Sequence, residues 1–346
     1  MSDKTTIEWT DATWTPIRAR RLVMENDGGG KERIGWHCEH VSPGCKGCYA
    51  ERINMRLGTG REFRPAHLIH ATPLGDVRGD VGVFLDENML LQPLRWKRPR
   101  EIFVCSMTDA FADFVTDEML DRLFAVMALA HWHTFQVLTK RSARMREYFS
   151  NPIGEALIGQ QVGQIELART GNPVSEWSGL PLPHVLLGVS AEDQDRFDER
   201  AADLAATKAA RRFLSLEPLI GPINLSMRTD RMETAPGIDW VIVGGESGPG
   251  ARPLHPDWVR SLRDQCAAAG VPFHFKQWGE WLPVDLGSSG EECFADDGSD
   301  RQFEGRLTVG RVEGTYCEMA RVGKKAAGRL LDGVQHNGVP EAACAR

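Results

Sequence analysis

His184-Val185-Leu186-Leu187-Gly188-Val189 breaks off into Ser190-Ala191-Glu192, and Arg212-Phe213-Leu214-Ser215-Leu216 breaks off into Glu217-Pro218. Both segments are near-continuous apolar runs that stop at polar residues, with a helical stretch from about Asp193 to Ala206 between them. Strands that are apolar on both faces belong to parallel sheets covered by helices. The same unit recurs outward in both directions. Glu101 to Ser106 leads into Met107-Thr108-Asp109, and Thr134 to Thr139 ends at Lys140-Arg141. Asp239 to Val243 ends at Gly244-Gly245-Glu246-Ser247-Gly248, and Val271 to Phe275 ends at Lys276-Gln277-Trp278.

The helices between these runs carry their own signals. Asp117 to His131 puts Leu120, Leu123, Phe124, Met127 and Ala128 on one face behind the N-cap Thr116. Pro256 to Ala269 has proline at its start and Gly270 just past its end. Six or so such units predict an α/β fold with a parallel sheet, as a complete or partial TIM-like β/α barrel. Polar residues follow nearly every strand, which favours the barrel over an open sheet. In barrels the C-terminal strand ends build the active site.

Composition narrows the class. Hydrophobic content of 42% and charged content of 26% suit a soluble globular protein, and no apolar run nears the roughly 20 residues of a membrane span. The amino terminus lacks a basic region followed by an apolar one, so a cytoplasmic location is expected. A net charge of −7 argues against coating nucleic acid non-specifically, though a local basic groove stays compatible with it.

Eight cysteines are too few for a disulfide scaffold in a chain of 346 residues. Five of them are isolated, and only Cys38, Cys45 and Cys48 form a group, in Cys38-Glu39-His40-Val41-Ser42-Pro43-Gly44-Cys45-Lys46-Gly47-Cys48-Tyr49. Three thiolates can hold a metal centre and leave one position open. Zinc would need a fourth protein ligand, for which His37 or His40 is suitably close in sequence. An iron–sulfur cluster on three cysteines would leave one iron without a protein ligand. The spacing leaves both readings open.

Position in the chain adds to this. The cysteines precede a helix expected from Tyr49 to Arg56, which puts them in the first strand–helix loop. That arrangement resembles radical S-adenosylmethionine (SAM) enzymes, in which SAM chelates the open iron of a [4Fe–4S] cluster. The first gap of six residues and Gly47 before the last cysteine depart from the commonest Cys-x₃-Cys-x₂-Cys pattern.

A closer resemblance covers most of the chain. It rests on Ile7-Glu8-Trp9-Thr10-Asp11-Ala12-Thr13-Trp14, Val41 to Glu51, Ser106-Met107-Thr108-Asp109-Ala110-Phe111 and Phe135 to Arg141. Leu187 to Glu192, Phe213 to Leu219, Val243 to Gly248, Phe275 to Gly279 and Val322 to Arg329 extend it. Together these motifs resemble the phage-associated three-cysteine-motif proteins, a family of unknown function regarded as radical SAM-like. The resemblance implies a [4Fe–4S] cluster on Cys38, Cys45 and Cys48, SAM as its partner, and an electron donor such as flavodoxin or ferredoxin. A further partner protein is left open, as is the substrate, for which a nucleic acid or nucleotide is the expectation. The alternative is a zinc-stabilised nucleic-acid-binding protein without turnover. Residues 18–33 and 151–183 read as insertions in a barrel domain over 1–282. Residues 283–346 read as a C-terminal extension packing on the barrel, with a flexible excursion over 283–306, a strand near Arg306 to Val312 and a helix near Gly323 to Leu331.

Residues at strand ends are the remaining candidates. Asp109, Glu192, Glu217 and Glu246 could each bind a ribose hydroxyl, the methionine ammonium or substrate, or serve equally as caps. Lys140, Arg252 and Lys276 could neutralise an anion or lie as surface cations, and Gly244 and Gly245 would let backbone amides approach a ligand. Glu217 and Lys276 are the expected catalytic pair. Tyr49, Ser106, Asp109, Lys140, Ser190, Glu192, Gly244, Gly245 and Glu246 are the expected cofactor contacts. Leu94-Arg95-Trp96-Lys97-Arg98-Pro99-Arg100 interleaves four cations with an aromatic, a composition suited to a nucleic-acid backbone with a stacked base or to a solvated loop. Trp9, Trp14 and Trp278 lie in motif segments and are candidates to stack on a base.

Overall fold

The computed structural model describes residues 5, 7–24, 29–71, 77–172, 177–225, 237–284, 302–303, 306–312 and 315–340. The chain divides into two compact units, one of Met1–Val189 with Ala206–Arg211 and Ala342–Arg346, the other of Ser190–Ala205 with Arg212–Glu341. The fold is α/β, with the seven-stranded parallel sheet of a partial TIM-like β/α barrel. Its strands are β1 (Ala12–Trp14), β2 (Glu101–Val104), β3 (Thr134–Thr139), β4 (Val185–Ser190), β5 (Arg211–Leu216), β6 (Trp240–Gly244) and β7 (Phe273–Gln277).

In the first unit Ala12 lies opposite Ile102, Ile102 opposite Phe135, and Phe135 opposite Val185. Ile102, Val104, Phe135, Val137 and the successive Val185, Leu186 and Leu187 are all buried. Adjacent strand residues point to opposite faces, so this burial means that both faces are covered, as the unbroken apolar runs require. The helices of this unit are α1 (Tyr49–Leu57), α2 (Asp117–Leu129), α3 (Ser142–Ser150) and α4 (Gly154–Thr170). The Thr116 hydroxyl accepts the Met119 N–H and caps α2, whose Leu120, Leu123, Phe124 and Met127 are buried.

Residues 151–183 contain more order than their Gly and Pro content suggests. Helix α4 occupies 17 of them, buries Ile158, Val162 and Ile165, packs on α2, and ends at Gly171 in the left-handed conformation. Gly159 and Gly163 dilute the apolar stripe, which hides it from a compositional reading. Most of the described part of 18–33 likewise belongs to regular structure, in strands Ile17–Met24 and Gly30–Gly35. Strand Ile17–Met24 is the centre of a three-stranded antiparallel sheet, flanked by Gly30–Gly35 and Gly82–Leu85.

In the second unit Phe213 lies opposite Trp240, and Val241 opposite Phe273. Helices α5 (Gln194–Ala206) and α6 (Pro256–Ala269) follow the sequence expectation, α6 ending at Gly270 with φ +67°. A four-stranded antiparallel sheet runs in the order Trp281–Pro283, Thr315–Arg321, Arg306–Val312 and Gln302–Phe303. The strand expected at Arg306 to Val312 is present, and Thr315–Arg321 pairs with it. Most of the expected excursion over 283–306 lies outside the described residues. The helix expected near Gly323 to Leu331 is only Lys324–Ala327, because Gly323 and Gly328 take φ of +86° and +65° and end the regular backbone.

Beyond that short helix the chain straps the outer edge of β7. His336 O accepts the Phe275 N–H, Gly338 N–H reaches Phe273 O at 2.9 Å, and the Trp240 indole donates to Gly338 O at 2.7 Å. An exposed edge strand is a template for unwanted pairing, and the strap covers it. Among the described residues no helix is long and apolar enough to cross a membrane.

The strap seals His274, whose Nε2 accepts from Arg329 at 3.3 Å and whose pKa is pushed down to about 4 by burial and by the cations Arg329 and Lys276. Burial also lowers His37, His133, His184, His255 and His336. The unfolded chain therefore takes up protons first as pH falls, and stability present above about 6.5 is lost toward pH 4. Denaturant midpoints should drop across that window, and His274→Gln should flatten the drop by up to roughly 3 kcal/mol at pH 4. An unchanged slope in that variant would remove His274 from the account.

Candidate functional site

The cysteine loop is a tight turn feeding a helix. Pro43–Cys45 forms one 3-10 turn, Lys46 N–H closes on Pro43 O, Gly47 takes φ +81°, and Cys48 N-caps α1 with its carbonyl accepting the Arg52 N–H at 3.3 Å. Only a residue without a Cβ adopts the Gly47 conformation readily. The loop lies in the chain between β1 and α1, as the sequence suggested. Cys38, Cys45 and Cys48 are all partly buried free thiols, and Cys38 and Cys48 pack with Trp36 and Ile53 against Ala50, Phe63 and Met107.

Burial pushes the Cys38 thiol well up, and the neighbouring charges of Asp109, Cys48 and Cys45 push it further. Burial also raises Cys48, opposed by the backbone N–H groups of Glu51 and Ala50. Cys38 and Cys48, with their ionisation disfavoured in this way, are unsuited to act as isolated nucleophiles. A bound cation reverses that logic, because it stabilises every thiolate at once.

Several contacts moor the loop to the C-terminal ends of β2 and β3. The Thr108 hydroxyl donates to His37 O and the Tyr49 hydroxyl to Ser106 O, each at 2.5 Å. Arg141, just beyond β3, donates to Glu39 at 2.5 Å and to Asp113 at 2.8 Å. Cys105, between β2 and Ser106, is held at φ +57°, an uncommon conformation for a side-chain-bearing residue. Asp109 accepts from the Thr139 hydroxyl at 2.7 Å, from Phe111 N–H and from Lys140 N–H. Its carboxylate therefore braces the two strand ends together.

Asn54 holds the other side. Its buried side-chain oxygen accepts from Trp36 N–H at 2.9 Å and Thr59 N–H at 3.1 Å, while its NH₂ donates to the Thr59 hydroxyl and Arg61 O, each at 2.8 Å. Gly35 and Gly58 meet there with no room for a side chain, since a Cβ on Gly35 would lie 2.4 Å from Thr59 N. Sequence reasoning passed over Asn54, Glu39 and Arg141. The signal for Asn54 was an amide one turn beyond Ala50, on the buried face of α1.

The two histidines weighed as zinc ligands differ. His40 contacts Glu51 Oε1 at 3.2 Å. His37 is buried edge-on between Phe63 and Phe114, its pKa lowered to about 4 by burial, and its Nε2 has no partner among the described residues. Among the described residues no group of three His, Cys, Asp or Glu side chains is gathered so as to hold a metal ion.

In the second unit the expected carboxylates divide by role. Glu217 lies beyond β5 and pairs with Lys276 of β7 at 3.2 Å, with the Ser215 hydroxyl at 3.3 Å. Gly244 makes this arrangement fit, because a Cβ there would meet Glu217 Oε1 at 2.3 Å. Gly245 allows equally close approach of the Trp278 carbonyl. Glu246 is clamped by Arg252, through Nε at 2.8 Å, Nη2 at 2.9 Å and the backbone N–H at 2.8 Å. Glu192 is fully buried against Arg200, which also donates to Ser190 O at 2.7 Å. The Ser190 hydroxyl donates to Glu217 O.

The aromatic candidates are occupied. Trp96 is buried beneath the Arg100 guanidinium, 4.5 Å from the ring centre, so it offers no face to a base. Trp9, Trp14 and Trp278 are likewise buried, Trp14 and Trp278 donating to Met89 O and Leu330 O. A cavity of about 230 Å³ opens at the start of α4, lined by Tyr148, Ser150, Asn151, Glu155 and Lys208 among others, and no cysteine faces it.

The residues of the cysteine loop, the strand ends and the strap fall within a match to one family model, spanning residues 34–340 and described as a protein of unknown function, DUF5131. No curated protein and no solved structure matches the chain. With most of its length covered by that model, the chain belongs to the DUF5131 family.

Proposed function

We propose that the protein is a radical SAM-type iron–sulfur enzyme that holds a [4Fe–4S] cluster on Cys38, Cys45 and Cys48. The observation that carries the reading is a loop with three partly buried free thiols between the first sheet strand and first helix, moored to the C-terminal ends of β2 and β3. The donor set fits such a cluster. A single ion needs its ligands gathered on one point, whereas a four-iron cluster spreads three thiolates over three irons and leaves the fourth open. When bound, the cluster would chelate SAM and supply the electron that cleaves its C–S bond to a 5′-deoxyadenosyl radical, for hydrogen abstraction from a substrate of nucleic-acid or nucleotide class.

The chain's own residues supply the setting. Arg141 and Glu39 fix the backbone next to Cys38, and the apolar packing of Trp36, Phe63 and Met107 partly shields the Cys38 and Cys48 thiols from water. The Glu217–Lys276 pair presents both charges at strand ends of the second unit, a combination suited to holding an amino-acid zwitterion or moving a proton. A cytoplasmic location, an electron donor such as flavodoxin or ferredoxin, and a phage association go with this reading. One observation favours a second reading, zinc with nucleic-acid binding and no turnover. The unpartnered Nε2 of His37 stands one residue from Cys38 and could close a tetrahedron.

Anaerobic purification and reconstitution should give brown protein with about four irons and matching sulfide per chain. Cys38→Ala, Cys45→Ala and Cys48→Ala should each lose it, and dithionite with SAM should yield 5′-deoxyadenosine. Colourless protein carrying one equivalent of zinc, lost in His37→Ala, would replace the radical reading with the second one.

Asn54→Ala should separate mooring from chemistry. It strips the Trp36 and Thr59 amides of their acceptor, at about 1–3 kcal/mol for each buried group. Both melting temperature and retained iron should fall. Glu217→Gln should keep the iron and lower 5′-deoxyadenosine yield, as measured by chromatography, and loss of iron in that variant would make Glu217 structural.

A further inference from the structure

The small antiparallel sheet concentrates positive charge in an acidic chain. Residues 17–64 carry ten Lys and Arg against six Asp and Glu, within a chain of net charge −7. The register sorts these cations by face. Arg21 lies directly opposite Arg33, and Lys31 opposite Val23, so Arg21, Arg33 and Lys31 share one face. Arg61 joins Arg21 there, because both bind Asp80: Arg21 Nε at 2.7 Å and Arg61 Nε at 2.8 Å. The Arg33 guanidinium extends beside Gly60, where a Cβ would come within 2.6 Å of it.

Like charges directly opposite each other destabilise a sheet, and Asp80 serves two of these cations, Arg21 and Arg61. Burial would raise the Asp80 carboxyl, but hydrogen bonds from Arg61 and Arg21 outweigh it and hold it below its usual range. Asp80 is thus fully ionised and already committed, and the excess positive charge remains. The cations are accessible, since Lys31 is exposed and Arg21, Arg33, Arg61 and Asp80 are half-buried.

We infer that this face binds the phosphodiester backbone of a nucleic acid, with Arg21, Arg33, Arg61 and Lys31 meeting successive phosphates. An extended ligand fits better than a single phosphate because the cations run along an open strand rather than line an enclosed pocket. That strand, Gly30–Gly35, leads through Trp36 and His37 directly into Cys38, so a bound strand would be held beside the cysteine loop. The assignment deepens the proposed function by naming how a nucleic-acid substrate is held. It also moves the nucleic-acid contact away from Leu94 to Arg100, whose tryptophan is covered.

The test is fluorescence anisotropy of the full-length protein with a labelled 20-nucleotide single strand, and separately with a duplex, across a salt series. Wild-type protein should bind at low salt with log Kd rising linearly in log salt. Lys31→Glu with Arg33→Glu should weaken binding at least tenfold and reduce the salt slope by about 1–2. The same variant should keep or raise its melting temperature, since a glutamate in place of Arg33 would face Arg21 as an opposite charge. Lys97→Glu with Arg98→Glu should leave affinity unchanged. The inference is overturned by absence of wild-type binding, by unchanged affinity in the Lys31/Arg33 variant, by loss only in the Lys97/Arg98 variant, or by binding confined to phosphatidylserine vesicles. Formation of 5′-deoxyadenosine without nucleic acid is measured in parallel, so failure of the radical chemistry and failure of this surface read out separately.

Discussion

One buried amide ties the entry of the cysteine loop to the helix that follows it. Asn54 accepts from the backbone that enters the loop at Trp36 and from the turn that leaves α1 at Thr59, and it donates to Thr59 and Arg61. All four of its hydrogen-bonding positions are used. A buried amide so satisfied fixes geometry more sharply than an apolar residue can, because each lost bond leaves a desolvated group. Gly35 and Gly58 are consequences of this contact, since the strand and the turn could not both reach Asn54 with side chains between them. From there the cysteines inherit a fixed entry, and Thr108, through His37 O, and Tyr49, just after Cys48, pin the two flanks of the loop to the residues beyond β2.

The strand-end carboxylates show how the same sequence signal serves different ends. Asp109, Glu192 and Glu246 each have their oxygens taken by internal donors: Thr139 and two backbone amides, Arg200, and a bidentate Arg252. A carboxylate in that state tightens a loop whose backbone would otherwise be under-bonded. Glu217 differs because its partner is a single flexible lysine with a weak hydroxyl contact, and because Gly244 clears the space its carboxylate occupies. An arginine fork is a rigid clamp, while a lysine is a point charge that can exchange its partner. Among the four, Glu217 is the one held by a lysine.

Much of the fold was legible because parallel strands leave an unmistakable trace. Thr134 to Thr139 and Pro256 to Ala269 could be bounded from sequence alone, the first by its apolar run and the second by proline and glycine at its ends. Helix α4 is hidden in the sequence because Gly159 and Gly163 interrupt its stripe, and the spacing of Ile158, Val162 and Ile165 is the signal that remains. The short helix at Lys324 ends sooner than its sequence implies because neither flanking glycine announces a positive φ. The cysteines were evident as a group, but their moorings were not. Asn54, Glu39 and Arg141 act across sequence gaps that no local pattern spans, and Trp96 looked available only because the cation that covers it is four residues away.

The small sheet handles its cations differently from the second unit. There Arg252 is matched by Glu246, and Arg260 and Arg263 by Asp332. At Arg21 and Arg33 the register instead sets two arginines directly opposite each other, and Arg61 joins Arg21 on a shared counterion, Asp80. Opposed like charges cost a sheet stability, so stability of the sheet does not explain the arrangement. Natural sequences depart from local consistency mainly where function requires it. The departure lies on the strand that becomes the cysteine loop three residues later, and a polyanion on that face would neutralise the excess charge while being held next to the thiols.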